Sequence, residues 1–138
     1  MLISTRGRYA LRIMVYLAEH HSEAYIPLKT IAEHLGISLK YTSRIVPHLA
    51  AAGMVDSLLG KGGGYRLKSN PEECSVGEIL RLTEGDLAPV ACLGCNAEAC
   101  DRQDTCPTLA MWKNFHHLIN NYFDDITLDK LMHGHPLC

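Results

Sequence analysis

Four cysteines, Cys92, Cys95, Cys100 and Cys106, fall within fifteen residues at the spacing C-x2-C-x4-C-x5-C, while Cys74 and Cys138 stand apart. Grouped thiols offer two kinds of chemistry. As thiolates they are soft ligands for an iron-sulfur cluster, [2Fe-2S] or [4Fe-4S], or for zinc. Unligated, they exchange disulfides or climb the oxidation ladder. In a reducing compartment a group of this kind binds metal or does redox work more often than it staples a fold. Both readings stay open, as does a role for none of the thiols. The neighbouring Glu98, Asp101 and Asp104 either tune the site or solvate it, and His116, His117, His133 and His135 are weaker ligand candidates whose default is a surface role.

A second constellation suits a polyanion. Lys40, Tyr41, Ser43 and Arg44 lie outside the apolar stripe of one helical segment, with Lys29 and Ser38 bordering them. Arg and Lys pair with guanine edges or phosphates, and Ser and Tyr hydroxyls bond base edges or backbone. The alternative is a solvated helix face. Farther along, Gly60-Lys61-Gly62-Gly63-Gly64 resembles a phosphate-binding loop, but no Ser or Thr follows Lys61, and the next residues read as a strand rather than a helix. A glycine-rich hairpin tip explains it better: Gly62 and Gly63 let the chain approach a sugar-phosphate backbone, and Lys61 and Arg66 supply charge.

The elements that must position these groups follow from periodicity. From Arg8 to Glu19, apolar Ala10, Ile13, Met14, Leu17 and Ala18 recur at helical spacing, with Ser4 or Thr5 as the cap. Leu28, Ile31, Ala32 and Leu35 mark a shorter helix stopped by Gly36. Ser38 then caps a third helix whose buried stripe is Thr42, Ile45, Val46 and Leu49 and which runs to about Ala51. Two short helices joined by Gly36-Ile37-Ser38 read as a helix-turn-helix. Pro47 predicts a bend or an early end in the third helix.

Met54 to Leu59 and Tyr65 to Lys68 are predicted strands of a hairpin, which in this position reads as a wing. Ser75-x-x-Glu78 is a capping box for a helix closed by Gly85, with Val76, Ile79, Leu80 and Thr83 on one face. Residues 86–106 hold few regular signals. Pro107 fits a first helical position, and Met111, Trp112, Phe115, Leu118, Ile119, Tyr122 and Phe123 form a broad stripe to about Asp124, a helix about 27 Å long at ~1.5 Å per residue. So wide a stripe predicts a contact between two copies of the chain, against the alternative that it packs on the first helix.

The resulting fold class is mainly α with a small β-hairpin wing. Residues 1–85 form a winged helix-turn-helix domain, 86–106 a cysteine-rich sensor loop, and 107–138 a long dimerisation helix and tail. Net charge is only -2, yet residues 1–70 carry nine Lys/Arg against four Asp/Glu, and residues 71–138 four against eleven. One half suits a polyanion and the other is kept from it, although a charge of this size is also met on ordinary surfaces. The amino-terminal apolar stretch is interrupted by Arg6, Arg8 and Arg12, which argues against a signal peptide or membrane span and for a cytoplasmic protein. A small electron-transfer protein or oxidoreductase is the alternative class, and the absence of a substrate-pocket signature and of any nucleophile-base pair in the sequence argues against it.

The motifs IST-x-GRYALRIM, GIS-x-x-YTSRIV, GKGGGYRL, SVGEILRLTEG, C-x5-C-x-T-x-x-x-W and ITLDKL together resemble the Rrf-type transcriptional regulators, over essentially the whole chain. The resemblance implies a homodimeric repressor or dual regulator binding a palindromic operator in double-stranded DNA. It also implies that the long carboxy-terminal helix crosses to the partner, that Tyr41 and its neighbours read the major groove, and that the wing enters the minor groove. The family includes sensors of iron-sulfur clusters, redox state and nitric oxide, and cysteine-metabolism repressors controlled by a thiol or zinc switch or by a partner protein. Cluster-binding members carry three loop cysteines: Cys100 and Cys106 fit that pattern, and Cys92 fits if two residues are inserted after it. Cys95 is then a fourth candidate, or a replacement for Cys92. Leu59 stands where many relatives place an Arg, Leu109 where some have a ligating His, and Ser43 where some have a Glu.

Overall fold

In the computed structural model, which describes residues 2–134, helix α1 (Thr5–Glu19) is central, and it buries Ala10, Ile13, Met14, Leu17 and Ala18 as its spacing requires. Ser4, not Thr5, is the cap: its hydroxyl accepts from the Gly7 amide at 3.1 Å. Helix α2 (Leu28–Leu35) stops at Gly36, whose φ of 65° lies in the left-handed region. Helix α3 (Leu39–Ala51) follows a Ser38 cap and buries Thr42, Ile45, Val46 and Leu49. It runs through Pro47 to Ala51, the expected extent, so of the bend or early end that the proline predicts the early end does not occur. The proline removes the donor to the Ser43 carbonyl, but Ser43 is exposed, so the lost bond falls on the solvent side, where it costs a helix least.

The hairpin forms from β1 (Val55–Leu58) and β2 (Gly64–Leu67), antiparallel from Val55↔Leu67 to Leu58↔Gly64. A third short piece joins it: Ile26 and Tyr65 exchange two backbone hydrogen bonds of 2.8 Å. That bridge ties the wing to the start of α2, and only a glycine at position 64 permits it. A Cβ there would run into the Ile26 carbonyl and the Pro27 nitrogen.

Helix α4 (Val76–Glu84) has its capping box: the Ser75 hydroxyl accepts from the Glu78 amide at 3.2 Å, and the Glu78 carboxylate accepts from the Ser75 amide at 2.9 Å. Residues 86–106 contain only two single-turn 3-10 helices, Ala91–Leu93 and Gln103–Thr105, among irregular chain. Helix α5 (Leu109–Asp124) begins two residues after Pro107, which shortens it to about 24 Å. Cys106, preceding the proline, is extended (φ -74°, ψ 113°) as the ring demands, and Thr108 takes the capping position. Helix α6 (Leu128–Met132), which periodicity did not reveal, is capped by Thr127, and it packs on α1.

Two cores result. The larger gathers α1, α2, α3, the base of the hairpin and α6; the smaller, of Val76, Leu80, Leu87, Ile119 and Ile126, lies between α4 and α5. On α5 only Ile119 is buried, whereas Met111, Phe115, Leu118 and Tyr122 are exposed. Arg81 of α4 clamps α5 by donating to the Asn120 side chain at 2.8 Å and pairing with Asp124, and the two charged ends lie where a Cβ on Gly77 would stand. Among the described residues no helix is long and apolar enough to cross a membrane.

Candidate nucleic-acid interface and cysteine site

The first turn of α3 is organised by Ser38. Its hydroxyl accepts from the Tyr41 amide at 3.1 Å, and its carbonyl accepts from the hydroxyl of the fully buried Thr42 at 2.9 Å. With the turn held from inside, Lys40, Ser43 and Arg44 are left exposed on its outer side. The Ser43 hydroxyl donates to the Lys40 carbonyl at 2.7 Å, so its oxygen remains free to accept. Tyr41 is half-buried and meets Tyr9 edge to face, centroids 5.4 Å apart. Behind Tyr9 lies the Arg12 guanidinium, 5.7 Å from the ring centroid, which donates to the Leu35 carbonyl at 2.9 Å and so pins the turn between α2 and α3. Tyr9 and Arg12 were not among the expected site residues. Their only sequence signal was position outside the apolar stripe of α1. Lys29 is exposed on α2 in a loose pair with Glu33 at 3.8 Å, worth little in water.

At the wing tip the Gly63 amide donates to the Gly60 carbonyl at 3.0 Å, closing a turn around Lys61 and Gly62, whose φ is 75°. A Cβ on Gly63 would collide with the Leu58 and Gly60 carbonyls. Lys61 is exposed at this tip. Arg66 is placed differently: it donates to the Glu23 carbonyl at 2.7 Å, lies 3.4 Å and 3.6 Å from the Glu23 and Asp56 carboxylates, and covers the Tyr25 ring at 4.4 Å. Its charge is matched at the base of the hairpin, where it braces the wing.

Of the loop cysteines, Cys92, Cys95 and Cys100 are exposed and Cys106 is half-buried. Cys92, Cys100 and Cys106 line one cavity of about 330 Å³ together with Lys113 of α5. Cys95 is not among its walls; its amide donates to the Asp86 carboxylate at 3.1 Å. Asp86 also accepts from the Ala88 amide at 2.9 Å, and these two bonds, Ala88's first, hold its carboxyl below the usual range. One carboxylate thereby fastens both the start and the middle of the loop. Cys106 lies 3.5 Å from the Thr108 hydroxyl, and hydrogen bonds from Thr108, with a smaller one from the Leu109 amide, hold its thiol below the ordinary value. Cys74 is the opposite case: burial, with Glu78 nearby, pushes its thiol up to about 11.

Among the described residues, no three His, Cys, Asp or Glu side chains are gathered closely enough to hold a metal ion. Three soft donors around one cavity, with Lys113 among its lining residues, still fit a thiolate-held cluster as a donor set. His116 is half-buried and adds positive potential near Asp86, His117 is exposed, and His133 sits 3.3 Å from Asp129. His135 and Cys138 lie outside the described residues.

The sequence matches the Rrf2 family, described as iron-dependent transcriptional regulator, over residues 3–134. The HTH-type transcriptional regulator IscR of Pectobacterium atrosepticum is 35% identical over 134 residues, which are 97% of this chain and 80% of that protein. Protein rrf2 of Nitratidesulfovibrio vulgaris is 35% identical over 138 residues, 100% of this chain and 91% of that one. Among solved structures, CymR, the global cysteine regulator of B. subtilis, aligns with a TM-score of 0.77 at 34% identity, over 96% of this chain and 97% of that one. The first of these is named as a transcriptional regulator and the last as a regulator of cysteine. Agreement of sequence and fold across nearly the whole length leads to one conclusion, that the chain belongs to the Rrf2 family of transcriptional regulators.

Proposed function

We propose that two copies of this chain associate through the exposed face of α5 and act as a repressor on a palindromic operator, with the cysteine loop reporting iron-sulfur, redox or nitric-oxide status. The carrying observation is that three thiols line one cavity at the amino end of the helix that bears an uncovered apolar stripe. On DNA, Tyr41, Ser43 and Arg44 read base edges in the major groove. Lys29, Lys40 and Lys61 take phosphates, and the glycines of the wing follow the minor groove. Arg66 serves that surface by bracing the hairpin.

Cys92, Cys100 and Cys106 are the residues that would hold a cluster, which when bound supplies a centre reactive toward oxidants and nitric oxide. The chain's own contacts support coupling from there to DNA. Cys106 lies just before α5, Arg81 clamps α5 to α4, and Glu84 at the end of α4 accepts from the Ser4 amide and hydroxyl at 3.1 Å and 2.6 Å, beside the basic first turn of α1. Anaerobic purification with iron and sulfide analysis tests the reading. Loaded wild type and Cys95→Ser, with loss in Cys92→Ser, Cys100→Ser and Cys106→Ser, is expected; an iron-free protein after anaerobic reconstitution overturns it. A thiol or zinc switch is the second reading, favoured by the lowered thiol of Cys106, and zinc analysis with thiol counting separates the two. Binding to duplex DNA is expected to fall with a log-log salt slope of about -0.9 per neutralised phosphate.

A further inference from the structure

Leu59 is 92% exposed and Leu58 46% exposed, side by side where the hairpin turns. A lone exposed leucine is ordinary. Leu58, however, ends β1 and Leu59 follows it into a tip whose remaining positions, from Gly60 to Gly64, are glycine or lysine. Leu58 pairs with Gly64, so no side chain crosses the ladder to shelter it. The space a side chain would need at that glycine is occupied by the Ile26 carbonyl. With Gly60 at φ 90° and Gly62 at φ 75°, the tip is narrow backbone bearing two apolar side chains and, with Arg66 held at the base, the Lys61 ammonium as its cation.

A narrow, weakly charged, apolar-tipped hairpin does not suit a groove read by charge. It suits insertion. We propose that Leu59 is an apolar wedge that enters the minor groove and partly unstacks a flexible pyrimidine-purine step, while Lys61 takes an adjacent phosphate. Apolar side chains used in this way kink the duplex, and they select the steps that unstack at least cost, TA and CA/TG, over stiff A-tracts. The inference rests on the DNA reading above and adds to it a sequence preference at a position where the protein donates no hydrogen bond to a base.

The test uses the full chain and a randomised duplex pool of about 30 base pairs, long enough for two half-sites a helical turn apart. Wild type is expected to enrich flexible steps at two symmetric positions outside the major-groove half-sites. On the selected duplex, 2-aminopurine placed at those steps should brighten on binding. Leu59→Ala, a fully exposed change that leaves the fold intact, is expected to lower the preference for the flexible step over an A-tract by about tenfold, within the range of one mismatched position, and to abolish the brightening. Leu59→Arg should reverse the preference toward the narrow A-tract groove. If Leu59→Ala keeps both the step preference and the 2-aminopurine signal on an enriched duplex, the wedge is overturned and the DNA reading stands. If wild type enriches nothing, the DNA reading falls and the wedge with it.

Discussion

Replacing Gly64 by alanine perturbs the one residue on which the tie between wing and helix-turn-helix depends. The added methyl would meet the Ile26 carbonyl and the Pro27 nitrogen, both backbone atoms that cannot swing aside. Relief requires parting Ile26 from Tyr65, which removes two hydrogen bonds of 2.8 Å. At a net ~1 kcal/mol each, those bonds account for about 2 kcal/mol. The backbone at φ 150° adds roughly 1 kcal/mol of strain for a residue with a side chain. Lost freedom of the unfolded chain returns about 0.5 kcal/mol, so the net destabilisation is about 2–3 kcal/mol. Urea denaturation reads this as a midpoint lowered by about 1 M at a slope of ~2 kcal/mol per M. Gly62→Ala is the control, because position 62 shares a positive φ but has nothing within 4 Å of the added carbon. It is expected to show the strain alone. A midpoint for Gly64→Ala no lower than that for Gly62→Ala would refute the argument from the bridge.

The thiols should separate by reactivity: Cys106, held below the ordinary thiol value, is alkylated by iodoacetamide at lower pH than a free cysteine, whereas Cys74, pushed up to about 11, reacts only on unfolding. Peptide mass spectrometry checks the order, and equal rates in the folded protein contradict it. Because the Asp86 pKa is depressed, its hold on the loop is present above the unfolded value of about 4 and is lost as pH falls through the folded one. Asp86→Ala should therefore speed hydrogen exchange at the Ala88 and Cys95 amides at neutral pH, and unchanged exchange would remove its fastening role. Ser75→Ala opens the capping box and should lower stability by about 1 kcal/mol in thermal or urea melts. On selected DNA, Tyr41→Ala and Arg44→Ala should weaken specific binding, while Lys61→Ala weakens binding to all sequences and lowers the salt slope by about 1 for each copy of the chain bound. Equal losses on selected and random duplex for all three would show that α3 does not read bases.

Local chemistry was legible in the sequence wherever one short stretch sufficed. The stop at Gly36, the Ser38 cap and the Ser75-Glu78 box each satisfy backbone groups a few residues away, and each stands as expected. What escaped depends on distant partners or on length. Helix α6 has five residues, too few to display a period. The bridge from Ile26 to Tyr65 joins segments far apart in sequence, and with it the reason Arg66 is drawn to Glu23 and Tyr25 instead of projecting at the tip. Spacing left Cys92 and Cys95 as equals. They differ only in three dimensions, where one lines the cavity with Cys100 and Cys106 and the other is tied through its amide to Asp86.

The backbone pairing of Val76 with Ile126 and of Leu128 with Cys74, at 2.8 Å and 2.9 Å, brings both ends of the stretch 76–126 to one point of the molecule. Near that point the carboxy end of α5 is pinned, by Ile126 and by Asp124 against Arg81, while its amino end issues from the cysteine loop. Held over Ile119–Asp124, the helix leaves its first ten residues, Leu109–Leu118, as an arm about 15 Å long. A displacement of about 2 Å at the free end of that arm would tilt it through roughly 8°. On the proposed pairing through α5 both arms would tilt together, converting a ligand-sized shift at the two cysteine loops into a rotation of one half of the assembly against the other.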